Sequence, residues 1–337
     1  VSAADVAGVT AGQVAEAFDL GTPIEELDLV QHTVSRTWRL TTSAGRFLVK
    51  ELWPDEDQPW AHQLNWRRDF EERVAAAGIR IPSPVPPPAR AYGWTSRVAG
   101  RGAYRVTEWV EHRKVTADDD LSDWLGRTLA VLHSFEPYRS DTADPGELEP
   151  FYYVHPADRW HEWAALARSQ GRPWAAEFGA RLDAYVRRTE RLRTTYSGIG
   201  DHVLTHRDMV PFNVLMTPTG PVLTDWDVIG PDSASLETGF AAVTFAFRDP
   251  RRVRRALASY TAHGGVLVDG LGEDLFAHKL GSELGRLAVL VDRVVTGVPL
   301  TGWMTRYADP DTGVRAAMAE VAAAEERLRR LAADLDL

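Results

Sequence analysis

The reading of this chain turns on His206-Arg207-Asp208-Met209-Val210-Pro211-Phe212-Asn213-Val214-Leu215-Met216, followed by Thr217-Pro218-Thr219-Gly220 and then Pro221-Val222-Leu223-Thr224-Asp225-Trp226-Asp227. Val214-Leu215-Met216 is a short apolar strand, Pro218 and Gly220 punctuate a turn, and Pro221 to Thr224 returns as the partner strand. A hairpin of that form delivers Asp225 beside Asn213. Phosphoryl transfer needs a carboxylate to orient the attacking hydroxyl, plus an amide oxygen and a second carboxylate to hold magnesium on the phosphates. Asp208, Asn213 and Asp225 supply that set, with Asp208 as the catalytic carboxylate and Asn213 and Asp225 as the metal ligands. Asn213 is one of only two asparagines in the chain, the other being Asn65, so a chance match is rare. The plainer alternative is a polar turn with capping Asp and Asn residues.

On these residues the chain resembles the aminoglycoside phosphotransferase family, kinase-like enzymes that phosphorylate antibiotics, choline, homoserine and other small molecules. That family's loop commonly reads His-Gly-Asp-x-x-Pro-x-Asn and its metal strand Asp-Trp-Glu or Asp-Trp-Asp. His206, Asp208, Pro211, Asn213, Asp225, Trp226 and Asp227 match, while Arg207 replaces the usual Gly. A serine/threonine kinase would carry Lys where this chain has Val210, Asp-Phe-Gly in place of Asp225-Trp226-Asp227, and an Ala-Pro-Glu segment that is absent downstream. The acceptor is therefore expected to be a small molecule. The resemblance implies an α+β, two-lobed, protein-kinase-like fold with a small antiparallel-sheet N-terminal lobe and a mainly helical C-terminal lobe, divided here as 1–110 and 111–337.

A kinase must present a Lys from a strand to the α- and β-phosphates, and Arg46-Phe47-Leu48-Val49-Lys50-Glu51-Leu52 has that form. Thr37 to Thr42 alternates like its antiparallel partner across an Ala44-Gly45 turn. Basic residues here are overwhelmingly Arg, and the only other lysines are Lys114 and Lys279. A retained Lys50 points to a need for a compact ammonium in place of a guanidinium fork. A solvated strand-edge lysine is the alternative.

The phosphate-covering loop is placed at Gln31 to Arg36, with Ser35 or Thr33 offering a hydroxyl and backbone amides to phosphate. A helix is predicted from Trp60 to Ala77, ending at Gly78. By family analogy the Glu that pairs with Lys50 should stand where this chain has Arg67, so Glu71 is the expected partner, with Asp69 and Glu72 nearby. Ala103 to Val110 reads as a strand leading into the interlobe hinge, where backbone groups of Glu108, Trp109 and Val110 would read the adenine edge. Leu121 to His133 is a helix with Leu121, Leu125, Leu129 and Leu132 on one face, and His133 is read as structural.

Acceptor recognition is sought between that helix and the catalytic loop. Asp141, Asp144, Glu147 and Glu149, followed by Phe151-Tyr152-Tyr153 and by Trp160 and Trp163, mix carboxylates with aromatics suited to an amine. Trp at i and i+3 is more often core. Asp227, Asp232 and Glu237 are further candidates, and Glu237 resembles the acidic residue that opens the next helix in the family, read as a structural cap. Leu280 to Val295 and Val314 to Leu335 read as amphipathic helices.

Of 337 residues, 44% are hydrophobic and 26% charged, ordinary for a globular chain. Cysteine is absent, which excludes disulfides, cysteine-ligated zinc and thiol nucleophiles. The net charge of −10 disfavours nucleic acid and suits a cationic acceptor. No long apolar run or basic leader stands in the sequence, so a cytoplasmic protein without a membrane anchor is expected. The mechanism expected from the resemblance uses ATP or GTP with Mg2+. Asp208 would orient the hydroxyl, and His206 would fix the loop by packing or a backbone hydrogen bond without acting as base. Antibiotic modification, with an aminoglycoside or other amine-bearing natural product as acceptor, leads the readings. A metabolic homoserine, choline or sugar kinase and a nucleotide-binding pseudokinase are the alternatives.

Overall fold

A computed structural model describes residues 9–32, 35–53, 63–135, 155–307 and 309–337. It divides into two compact units, Val1–Val115 with Phe212–Asp227, and Thr116–Pro211 with Val228–Leu337. The division expected at residue 110 differs in two respects: the first segment runs on to Val115, and the hairpin after the catalytic loop groups with the N-terminal unit.

The first unit is built on an antiparallel sheet of β1 (Asp28–His32), β2 (Arg36–Thr42), β3 (Gly45–Trp53), β4 (Ser96–Val98) and β5 (Arg101–Glu108), in the order β1-β2-β3-β5-β4. Alternation decides what each face carries. Trp38, Leu40, Val49, Tyr104 and Val106 project into a core closed by helix α1 (Ala11–Phe18) through Val14, Ala15 and Phe18. Lys50 and Arg105, directly opposite each other in the β3–β5 register, therefore point to the other face. Helix α2 (Gln63–Ala76) belongs to that face, where its Leu64 packs with Ala103. It ends where expected, at Gly78, whose φ of 87° only glycine adopts readily; positions 60–62 of the predicted helix lie outside the described residues. The Pro-rich stretch runs along β5, with Val85 N donating to Val106 O and Glu108 N to Ser83 O.

A second small sheet joins β6 (Arg113–Lys114), β8 (Val214–Thr217) and β9 (Gly220–Leu223). Pairing of Lys114 with Leu215, and a bond from Leu223 N to Arg80 O at 2.8 Å, tie the hairpin to this unit.

The second unit holds β7 (His202–Thr205) paired with β10 (Gly230–Ser233), and helices α3 (Ser122–Ser134), α4 (Ala157–Ser169), α5 (Ala175–Gly198), α6 (Ala234–Phe245), α7 (Pro250–Ala262), α8 (Ala277–Thr296) and α9 (Pro310–Asp334). Leu121, Leu125, Leu129 and Leu132 are buried as the periodicity required. Trp160 and Trp163 are core residues among Trp174, Phe178 and Tyr185, as Trp at that spacing usually is, and not acceptor contacts. Among the described residues no helix is long and apolar enough to cross a membrane.

Candidate active site

The hairpin forms as the sequence required. Val214 pairs with Leu223 and Thr217 with Gly220, and Thr224 N donates to Asn213 O at 2.9 Å. Asn213 closes a 3-10 turn, Pro211–Asn213, and is buried. Asp225 follows β9 with φ 64°, a left-handed conformation that Asp tolerates better than most side chains.

Within the first unit, Lys50 Nζ lies 2.7 Å from Asp225 Oδ1 and 2.5 Å from Asp227 Oδ2. Burial alone would lower the Lys50 pKa, but the Asp227 and Asp225 carboxylates outweigh it and raise the value above the ordinary one. Asp227 behaves reciprocally. Burial pushes it up, Lys50 and Arg105 pull it down, and the net direction is down. Asp227, a candidate acceptor contact from the sequence, is instead paired with Lys50, with Arg105 Nη1 3.6 Å from its other oxygen.

The pairing expected between Glu71 and Lys50 is replaced by another. Glu71 binds Arg68 Nη1 at 2.5 Å and Arg105 Nη1 at 3.0 Å, and burial raises its pKa despite both cations. The cause lies in the register. Arg105 stands opposite Lys50 on the next strand, and its longer side chain meets the helix carboxylate, so the Lys50 ammonium turns to Asp225 and Asp227. Arg67, at the position where the family suggests Glu, donates from Nη1 to the Asp227 carbonyl at 2.5 Å and from Nη2 to Gln63 at 3.2 Å. Arg105 was missed, although a charged residue within an alternating strand was a visible signal.

The other expected nucleotide contacts are less complete. Ser35 is half-buried just before β2, while Thr33 and Val34 lie outside the described residues. In the hinge stretch the Glu108 amide is taken by Ser83 O and the Trp109 amide by Arg46 O. Of the three amides, that of Val110 has no acceptor among the described residues, while the Val110 carbonyl meets His112 Nδ1 at 2.7 Å. Asp141, Asp144, Glu147, Glu149, Phe151, Tyr152 and Tyr153 lie outside the described residues.

The catalytic-loop residues before Phe212 belong to the second unit. His206 is fully buried, and its Nδ1 accepts the Asp208 amide at 3.3 Å, the backbone bond expected of it. Arg207 has φ 68°, which explains in physical terms why Gly suits this position. Its side chain runs over Gly230, where a Cβ would come within 2.6 Å of Nη1. Beneath the loop, Glu237 accepts from Thr205 Oγ1 at 2.6 Å and Arg207 N at 2.8 Å, and meets His133 Nε2 at 2.8 Å. The helix cap is Ser233, which accepts from Leu236 N, so Glu237 is a loop anchor and not the cap expected. Asp232 is wholly buried against His278 Nε2 at 2.7 Å and the Ser233 amide at 2.7 Å, which removes it from the acceptor candidates.

Asn213, Asp225 and Asp227 offer one amide and two carboxylates, all hard oxygen donors. Among the described residues no group of three or more His, Cys, Asp or Glu forms a cage. That donor set fits Mg2+, which is held by one or two carboxylates together with substrate phosphates, better than a transition metal.

This is the fold of the kinase-like small-molecule phosphotransferases. It is similar over 94% of this chain and 96% of the other to the microcompartment-associated aminopropanol kinase, with TM-score 0.65 and 19% identity. Spectinomycin phosphotransferase in complex with ADP and spectinomycin matches over 90% of this chain and 94% of the other, with TM-score 0.61 and 14% identity. The model of the phosphotransferase enzyme family matches residues 29–266, and the chain belongs to that family. An uncharacterised protein of Deinococcus radiodurans is 26% identical over 227 residues, covering 66% of this chain. The match spans 62% of the length of that relative.

Proposed function

We propose that the chain moves the γ-phosphate of ATP or GTP, with Mg2+, to a hydroxyl of an amine-bearing small molecule, an aminoglycoside or related natural product in the leading case. The observation that carries this reading is the meeting of Lys50 with Asp225 at 2.7 Å across 175 residues of sequence. That contact supports reading Lys50 as the lysine for phosphates and Asp225 as the carboxylate for their metal. The family supports the reaction class, and aminopropanol, in the name of one structural neighbour, is an amino alcohol.

In this reading Lys50 binds the α- and β-phosphate oxygens, and backbone groups at Glu108 to Val110, chiefly the Val110 amide, receive the base. Ser35 offers its hydroxyl to phosphate. Asn213 and Asp225, with Asp227, would hold Mg2+, which when bound neutralises phosphate charge and fixes the phosphate oxygens. Asp208 accepts the hydrogen bond of the acceptor hydroxyl, orients its oxygen toward phosphorus and receives its proton. Glu71 supports the site through Arg105 and not through Lys50.

Hydroxylated amines, both aminoglycosides and simple amino alcohols, assayed for ADP release test the proposal. Release with aminoglycosides alone supports antibiotic modification; release with amino alcohols alone moves the chain to a metabolic role. No release with any acceptor, alongside firm nucleotide binding, overturns catalysis in favour of a nucleotide-binding scaffold. Asp208→Asn should lower turnover by about 10²- to 10⁴-fold while calorimetry finds nucleotide affinity nearly unchanged. Asp225→Ala should instead weaken nucleotide binding only when Mg2+ is present.

A further inference from the structure

The geometry points to His133 and Tyr260 as positioning residues that hold the loop carrying Asp208 in shape, acting through the carboxylate of Glu237. The inference rests on the phosphotransferase reading and adds two residues to it. His133 lies on α3 and Tyr260 on α7, 127 residues apart, and their contact is a hydrogen bond of 2.9 Å between Nδ1 and the phenol oxygen.

Glu237 is fully buried in the first turn of α6, and it is reached by a hydroxyl, a backbone amide and an imidazole, none of them a Lys or Arg side chain. A buried carboxylate held in this way keeps its position only while its donors keep theirs. Its two oxygens are forked across the catalytic loop, taking Thr205 on one side of His206 and Arg207 on the other. Arg207 holds a left-handed φ of 68° that a side chain with a Cβ disfavours. Strain of that kind persists where surrounding bonds over-determine the backbone, and the amide bond to Glu237 is one of those bonds. Asp208 is the next residue. A shift of the Glu237 carboxylate therefore passes to Asp208 through one peptide unit.

His133 serves Glu237 only in one tautomer. In the neutral imidazole, Nε2 must carry the proton to donate to the carboxylate, so Nδ1 accepts, and the Tyr260 hydroxyl is the donor that selects this form. Burial pushes the Tyr260 phenol up to about 12, so it keeps its proton through the neutral range. The ring is also fixed in place. A Cβ on Gly265 would come within 2.4 Å of it, and a Cβ on Gly126 of α3 would come within 2.5 Å of the Tyr260 amide. Gly126 lets α3 approach α7 and Gly265 leaves room for the phenol, so the imidazole and phenol meet edge to face with centroids 5.5 Å apart.

The test uses the full chain with His133→Leu, His133→Gln and Tyr260→Phe. Turnover and KM are read with the best acceptor of the panel, or as hydrolysis of ATP by water, and Mg-ADP affinity is read by calorimetry. Nitrogen NMR reads the His133 tautomer and the exchange rate of the Arg207 amide. His133→Leu should lower kcat about 30- to 100-fold, the scale of a small misplacement of a reacting group, with Mg-ADP affinity held within about threefold. The Arg207 amide should exchange at least about 100-fold faster. His133→Gln, whose amide can still donate to Glu237, should recover to within about tenfold of the parent, and Tyr260→Phe should mix the two tautomers and lose about three- to tenfold in kcat. A folded His133→Leu with parental kcat, an unchanged Arg207 amide, or equal losses in kcat and nucleotide affinity would overturn the inference. If His133→Leu does not fold, the Gln and Phe variants decide: a single retained tautomer and parental kcat in Tyr260→Phe defeats it. Should the parent transfer no phosphoryl group, the proposed function fails, and the tautomer and amide exchange still judge the network.

Discussion

The two units bury carboxylates in opposite ways. On the inner face of the first, Glu71 and Asp227 are matched by full charges from Arg68, Arg105 and Lys50. Beneath the catalytic loop of the second, Glu237 relies on Thr205, the Arg207 amide and His133. Charge pairing in a dry place is strong only while both members remain, whereas neutral donors hold direction and can be lost one at a time. The first arrangement suits a surface whose ions are shared with phosphates and a metal, as in the proposed function. The second suits a loop whose geometry must stay fixed.

The largest effect expected from this contrast is at Arg105. Arg105→Leu leaves Glu71 buried with one cation fewer and should cost about 3–5 kcal/mol in urea unfolding, while the double change with Glu71→Leu should recover most of it. A single variant milder than the loss of a neutral donor at Glu237 would break the comparison. Next comes an effect of pH on Tyr260, an acid whose folded pKa is raised from 10.0 to about 12. The unfolded chain releases this proton first as pH rises, so folding stability should decline between pH 10 and about 12. The total for such a shift is about 2–3 kcal/mol, and the decline should be absent in Tyr260→Phe. Thr205→Val removes one neutral donor from a charged acceptor and should cost about 2 kcal/mol, read by the same denaturation series. Smallest is Arg207→Gly. Relief of the left-handed strain is offset in part by the freedom glycine gains when unfolded, and a gain of about 0.5–1 kcal/mol in thermal melting is expected. A loss there would mean that Arg207 packing on Gly230 outweighs its backbone strain.

Much of the site was readable along the chain because its parts are close in sequence. Asp208, Asn213 and Asp225 lie within one loop and hairpin, and the turn residues of that hairpin dictate its pairing, so Asp225 is expected near Asn213 before any coordinates, and the bond from Thr224 N to Asn213 O brings the preceding residue there. Alternation placed Lys50 on a strand, and family likeness suggested a helix carboxylate as its partner. That partner was misread, since the choice among Glu71, Asp225 and Asp227 depends on which cation stands across the β3–β5 register. The acidic residue at 237 was seen, but its three donors come from β7, the loop and α3, and no local pattern announces such a meeting. Trp160 and Trp163 show the converse: a helical repeat of aromatics was ambiguous until burial resolved it.

By itself, the order of residues determined the main elements, the family and which oxygen-bearing side chains are candidates for the site, because propensity, period and turn chemistry act over a few residues. Tertiary structure alone decided which charge answers which. An ion pair or a buried hydrogen bond is set by distance and desolvation at the place where remote segments meet, and Arg105, His133 and Tyr260 acquire their partners only there.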